Sequence, residues 1–171
     1  MNLKNYIRDI PDFPKPGILF KDITPLLAAP TAFEFAIAQL AERYRHQQID
    51  AIAAAEARGF LLAAPLALVL KKALVPLRKP GKLPYQTKSY QYDLEYGSAE
   101  LHMHIDALQP GDRVLLVDDV LATGGTMLAA CKLAEQADAK VAGCAFLIDL
   151  AFLGGDKKLA GYELFSLIKY E

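Results

Sequence analysis

Val114-Leu115-Leu116-Val117-Asp118-Asp119-Val120-Leu121-Ala122-Thr123-Gly124-Gly125-Thr126 carries the reading of the fold. Four apolar residues lead into two adjacent carboxylates and then into a loop of small residues. Beyond the loop, Met127, Ala130, Cys131 and Ala134 fall on one helical face. The expected form is a buried strand, an acidic pair at its carboxyl end, and a Gly-containing turn that opens a helix. In open α/β sheets ligands lie at the carboxyl ends of strands. From Ala122 to Thr126 little side chain stands between the backbone N–H groups and an anion. The following helix adds its positive end, and Thr123 and Thr126 add hydroxyls, so a phosphate is the expected guest. Asp118 and Asp119 would repel a phosphate, yet they suit sugar hydroxyls a little further along the same ligand. Their charge would also favour a cationic sugar as its leaving group departs. A ribose 5-phosphate meets all of these demands.

Either half alone reads more plainly. Gly124-Gly125 could be a tight turn and the acids a solvated strand end; together, strand, acids and loop favour the ligand site. The G-x-x-x-x-G-K-[ST] and G-x-G-x-x-G fingerprints are absent. A phospho-receiver domain would carry its acids after the first strand, and here they come late.

Outward from this stretch, Ile49–Ala55, Leu74–Leu77, Val141–Ile148 and Tyr162–Ile168 read as further strands, and Gly59–Leu70 as a helix. Thr31-Ala32-Phe33-Glu34 fits a capping box. Phe33, Ala36, Ile37, Leu40, Ala41 and Tyr44 then form an apolar stripe opposite Glu34, Glu42, Arg43 and Arg45. The first 30 residues, rich in proline, read as a short helix and an extended segment that wraps over something else. Strands alternating with helices predict an α/β fold, a mostly parallel sheet flanked by helices, in a single domain spanning residues 1–171. Residues 78–98 break the pattern with Arg78, Lys79, Lys82, Lys88 and four tyrosines. Such a polar stretch is expected to be a flexible flap, with strands over Ser89–Leu94 and Ser98–His104. His102 and His104 would share one face of that strand; with no third ligand evident, a solvated face is expected rather than a metal pair.

Composition narrows the rest. The chain has 171 residues, 53% hydrophobic and 23% charged, with a formal net charge of −1. Disorder is excluded, and no general attraction to nucleic acid or anionic membrane is expected. Cys131 and Cys144 form no C-x-x-C pair and are expected as small buried side chains. The longest apolar run, Phe60–Leu70, is too short to span a bilayer and contains Pro65. A cytoplasmic protein is expected.

Val114–Thr126 closely resembles the motif that binds phosphoribosyl pyrophosphate (PRPP) in type I phosphoribosyltransferases, and the resemblance extends over essentially the whole chain. Phe13–Ile23, Glu56–Phe60, Arg78–Pro84 and Leu94–Gly97 look like segments of the adenine-specific branch, rather than those using hypoxanthine, guanine, orotate or uracil. The resemblance implies a purine salvage enzyme that joins adenine to the 5-phosphoribosyl group of PRPP, giving AMP and pyrophosphate. It implies that Asp118 and Asp119 bind the ribose hydroxyls, and that Ala122, Thr123, Gly124, Gly125 and Thr126 bind the 5-phosphate. The Ala57-Arg58 peptide would lie against the pyrophosphate, with Arg58, Lys79 and Lys82 countering its charge. Arg78 would point to the pyrophosphate of a neighbouring subunit, which implies a homodimer.

Leu19, Phe20 and Lys21 (residues 1–30 form the purine hood) match the adenine pocket, with backbone groups of Leu19 and Lys21 reading the purine edge and Phe20 offering its face. Many relatives carry arginine at the position of Lys21; the change is mild if backbone makes the contact and not conservative if the side chain does. Glu95 matches the acid/base residue, Glu100 stands nearby as the alternative, and Tyr96 accompanies them at the substrate. Mg²⁺ is the implied cofactor, held mainly through the pyrophosphate and not by dedicated protein ligands. Closure of the flap would keep water from the reactive sugar. Two other readings remain: a different purine as acceptor, and a PRPP-sensing regulator without turnover. The segment before Leu19 is short for a winged helix and no basic recognition helix is visible.

Overall fold

The computed structural model describes residues 1–93 and 98–171. A 3₁₀ turn at Leu3–Tyr6 precedes β1 (Arg8–Pro11) and β2 (Leu19–Asp22), an antiparallel pair with Arg8 opposite Asp22. The N-terminal extended segment is therefore a hairpin. Then follow α1 (Thr24–Leu27), α2 (Pro30–Tyr44), β3 (Ala51–Ala55), α3 (Arg58–Leu70) and β4 (Ala73–Leu77). Next come β5 (Thr87–Asp93), β6 (Ser98–His104), β7 (Arg113–Leu121), α4 (Gly125–Gln136), β8 (Lys140–Leu150), α5 (Gly155–Lys158) and β9 (Leu164–Tyr170).

Among the described residues the main sheet has five strands in the order β4-β3-β7-β8-β9, every neighbouring pair parallel. Both faces are covered, which is why its strands are apolar runs and not alternating ones. Ile52, Ala54, Leu115 and Val117 point into a core shared with Leu40 of α2 and Leu62 and Leu66 of α3. Their neighbours Ala51, Ala53, Ala55, Val114 and Leu116 point the other way, onto Cys131, Leu133 and Ala134 of α4. Leu40, Leu62 and Leu66 are fully buried, and each contributes about 1.5–3 kcal/mol by leaving water.

From β3 the chain moves to one side of the sheet, to β4; from β7 it moves to the other, to β8 and β9. Between β3 and β7 lies the point where the winding direction reverses, and a crevice opens there at the strands' carboxyl ends.

Two local expectations are corrected. The capping box at Thr31 does not form: the N-cap lies two residues earlier, at Ala29, and α2 begins at Pro30 without a side-chain bond. Proline at the first helical position has its φ already set and no N–H to satisfy, so the start needs no hydroxyl. The acidic pair lies inside β7 and not after it. β8 is long enough to hold β7 in register as far as Leu121 opposite Asp149, whereas β3 stops with Ala54 opposite Val117. Asp118 and Asp119 are thus strand residues with a free flank beyond β3.

β5 and β6 pair antiparallel from Thr87 opposite His104 to Asp93 opposite Ser98. Leu101 and Met103 are buried beneath them, and Lys88 Nζ donates to the carbonyl of Gln136 at the end of α4 (3.0 Å). The expected two-stranded segment forms, with its arms seated on α4. His102 and His104 lie on the outer face, opposite the buried Leu101 and Met103, and both are partly exposed. His102 Nδ1 is 2.9 Å from Thr87 Oγ1, and His104 Nε2 accepts the backbone N–H of Tyr85 (3.3 Å).

Candidate active site

The crevice between β3 and β7 holds a cavity of about 460 Å³. Its floor is the end of β7. Asp118 Oδ1 accepts the N–H of Asp119 (2.8 Å), and Asp119 is 3% exposed. Burial first, and the charge of Asp119 second, push the Asp118 carboxyl well above the ordinary aspartate range. Asp119 is buried and Asp118 partly exposed at one strand end, and the fold bears their repulsion.

One wall is the turn after β3, where the Glu56–Ala57 peptide is cis and leads into α3 at Arg58. Arg58 pairs with Asp119 through Nε and lies over the Phe20 ring, 5.2 Å from its centroid. Gly59 permits this approach: a Cβ there would meet the carbonyl of Val117 at 3.0 Å and Asp118 Oδ1 at 3.1 Å.

The opposite wall is the loop from Ala122 to Gly124, followed by Gly125 and Thr126 in the first turn of α4. Gly124 has φ +81°, a left-handed conformation that favours glycine. Behind the loop stands Gly155: a Cβ on it would lie 2.3 Å from the carbonyl oxygen of Ala122, and one on Gly124 would lie 2.8 Å from the carbonyl oxygen of Gly155. The loop and the start of α5 pack backbone to backbone. The inner side of the loop is left open to an anion.

The roof comes from the N-terminal hairpin through Leu19, Phe20 and Lys21. Phe13 meets Phe20 edge-on, with ring centroids 5.0 Å apart. The Lys21 ammonium is engaged elsewhere, 2.7 Å from Asp9 Oδ1 and 4.0 Å from the centroid of the Tyr170 ring. Its backbone remains the part of Lys21 offered to a ligand.

The expected residues Leu19, Phe20, Lys21, Ala57, Arg58, Asp118 and Asp119 and the loop from Ala122 to Thr126 therefore all meet around one cavity. Arg78, Lys79 and Lys82 are not in its lining. Arg78 donates to the carbonyl of Lys82 (3.2 Å) and reaches Glu56 Oε2 (3.5 Å), while the backbone N–H of Lys79 donates to Glu56 Oε1. The Lys79 N–H is the main cause, and Arg78 a further one, of the lowered pKa of the Glu56 carboxyl. Glu95 and Tyr96 lie outside the described residues, as do Leu94 and Gly97. Glu56, Leu150 and Leu153 line the cavity and were missed from the sequence. Glu56 adjoins Ala57, and Leu150 ends the strand beside β7; the strand order was the signal needed to find it.

A family model, the phosphoribosyl transferase domain, matches residues 26–167. The chain is 59% identical over 169 residues to an adenine phosphoribosyltransferase of Maridesulfovibrio salexigens, covering 99% of each. The chain belongs to the adenine phosphoribosyltransferase family. The crystal structure of the enzyme from Thermoanaerobacter pseudethanolicus superposes with a TM-score of 0.96 at 54% identity, covering 98% of each chain. That of Trypanosoma brucei adenine phosphoribosyltransferase, in complex with AMP, pyrophosphate and ribose-5-phosphate, superposes with a TM-score of 0.89 at 25% identity, over 98% of this chain and 78% of that one. The parallel sheet flanked by helices is that of the family. No helix among the described residues is long and apolar enough to cross a membrane.

Proposed function

We propose that the protein transfers the 5-phosphoribosyl group of PRPP to adenine, releasing pyrophosphate and giving AMP for purine salvage. The observation that carries this reading is the meeting, in one cavity, of an open small-residue loop at the start of α4, two strand-end acids and an aromatic roof. The ligand set of the Trypanosoma brucei structure supports it.

In this reading the 5-phosphate sits on the N–H groups of the loop from Ala122 to Thr126, and Asp118 and Asp119 accept from the ribose hydroxyls. The bond from the anomeric carbon to the pyrophosphate oxygen breaks, and its electron pair leaves with the pyrophosphate. A ring nitrogen of adenine supplies the pair for the new bond. The two acids stabilise the cationic sugar between these events, Arg58 meets the pyrophosphate, and Phe20 lies against the purine. Lys79 and Lys82 serve the pyrophosphate from the Glu56-anchored loop, and Arg78 serves that of the neighbouring subunit.

The donor set suits a substrate-held Mg²⁺. Two hard carboxylates, Asp118 and Asp119, border the pocket, and one or two carboxylates with substrate phosphates are the usual setting of Mg²⁺. When bound, the ion supplies charge neutralisation to the leaving group.

The nitrogen's proton goes to Glu95, with Tyr96 beside the substrate. Glu100 is the weaker candidate: a hydrogen bond from Ser89 first, and His102 second, lower its pKa, and it does not line the cavity. Leu61, Leu68 and Val69 of α3 and Leu74 of the edge strand β4 are exposed, and we assign this apolar surface to a homodimer. The free thiols of Cys131 and Cys144, buried with sulfurs 3.7 Å apart, suit the reducing cytoplasm.

Pyrophosphate release from PRPP and Mg²⁺ with a panel of bases tests the reading. Adenine should be strongly preferred. A preference for hypoxanthine or guanine would displace it, and PRPP binding without product would point to a sensor.

A further inference from the structure

β5 runs along α4 and bonds to it at both ends. Lys88 Nζ donates to the Gln136 carbonyl at the helix C-terminus (3.0 Å), and the Tyr92 hydroxyl lies 3.3 Å from Thr126 Oγ1 in the first turn. Residues 88 and 92 project from the same face of the strand, about 13 Å apart. Residues 126 and 136 are separated by about 15 Å of helix. The two contacts therefore bracket the helix whose first turn borders the cavity. Tyr90 and Tyr92 pack on the core between them.

We propose that Tyr92 is a positioning residue for the 5-phosphate, aiming the Thr126 hydroxyl at it. The inference rests on the phosphate seat proposed above and follows from counting protons. A phosphate dianion only accepts hydrogen bonds, so Thr126 must give it the single hydroxyl proton it has. What remains on Thr126 Oγ1 is lone pairs, which can only accept, and Tyr92 O–H is the donor within reach. The resulting chain, Tyr92 O–H to Thr126 O–H to phosphate, polarises in one direction, and its last bond is charge-assisted. The coupling is reciprocal: a bound phosphate strengthens the Tyr92 bond and so the seating of β5 on α4.

The test is a double-mutant cycle on ribose 5-phosphate affinity, measured by titration calorimetry for the wild type, Tyr92→Phe, Thr126→Val and the pair. Tyr92→Phe keeps the ring and its packing, so its Tm should stay near wild type. Its affinity should fall roughly three- to tenfold, the weight of one hydrogen bond. Adding Tyr92→Phe to Thr126→Val should then cost almost nothing further. In turnover, Tyr92→Phe should raise the KM for PRPP and leave that for adenine unchanged, a split that a purely structural tyrosine would not give. Unchanged affinity in Tyr92→Phe, or equal losses in both backgrounds, overturns the inference and leaves the proposed function standing. A wild type that does not bind ribose 5-phosphate overturns both.

Discussion

Arg58 at the start of α3 is ion-paired with Asp119 on β7 while its guanidinium lies over Phe20. One side chain thus touches the groups assigned to the diol and to the purine, and it projects from the turn assigned to the pyrophosphate. Asp119 is nearly buried and Arg58 about half-exposed, so the cation is free to turn towards an anionic ligand.

Replacing Arg58 should therefore be felt mainly through PRPP. Arg58→Ala should lower kcat/KM for PRPP roughly 10- to 100-fold, the weight of a charged hydrogen bond. Arg58→Lys should recover only part of it, because a point charge lacks the planar fork. Steady-state kinetics with PRPP varied decides this, and full recovery by lysine would contradict the fork.

Asp118 yields a stability prediction opposite in sign to its activity prediction. Burial and Asp119 raise its folded pKa, so the folded state holds this proton more tightly than the unfolded chain. Its contribution to stability is then greatest below the ordinary aspartate range and is lost as pH rises through the raised folded value. Asp118→Asn removes that loss. Thermal melts should place its Tm above wild type at pH 8 and close to it at pH 3, while AMP formation falls by about tenfold or more. A variant destabilised at pH 8 would contradict the proposed strain.

Gly155 should behave as part of the phosphate seat although it need not touch the ligand. An alanine Cβ there would press the Ala122 carbonyl from 2.3 Å, and such overpacking costs about 1–3 kcal/mol. The loop must shift, so the KM for PRPP should rise about tenfold. Gly161→Ala provides the control: its φ of +98° makes alanine strained, but nothing lies within 4 Å. It should lower Tm and leave the KM for PRPP unchanged.

Lys21 tests how the purine is read. Its ammonium is held by Asp9 and Tyr170, which leaves base recognition to the backbone. Lys21→Arg and Lys21→Met should keep the preference for adenine and change its KM by less than about fivefold, since the carboxylate left behind, Asp9, is half-exposed and returns to water at a cost of about 1 kcal/mol or less. A switch of base in either variant would return the role to the side chain.

The parts of the site that lie along one stretch of chain were legible in the sequence. Val114–Thr126 could be read because a buried run, two acids and a small-residue loop are local signals, and their order along the chain is their order in space. Leu150 and Leu153 were not legible: they reach the pocket because β8 neighbours β7, and strand order is a property of the whole sheet. The misplaced start of α2 arose from competing local signals, Thr31 with Glu34 against Pro30, and proline won. Asp118 and Asp119 became strand residues because β8 outruns β3, which the composition of β7 does not reveal. The outward face of the β6 histidines was legible from the period of the strand, whereas their contacts with Thr87 and the Tyr85 backbone needed the pairing register.

A crystal structure with AMP bound is the most direct measurement. It should find the 5′-phosphate within hydrogen-bond distance of the backbone N–H groups from Thr123 to Thr126, both ribose hydroxyls on Asp118 and Asp119, and the base against Phe20. A nucleotide seated elsewhere, or seated here with its phosphate turned from the loop, would contradict the account.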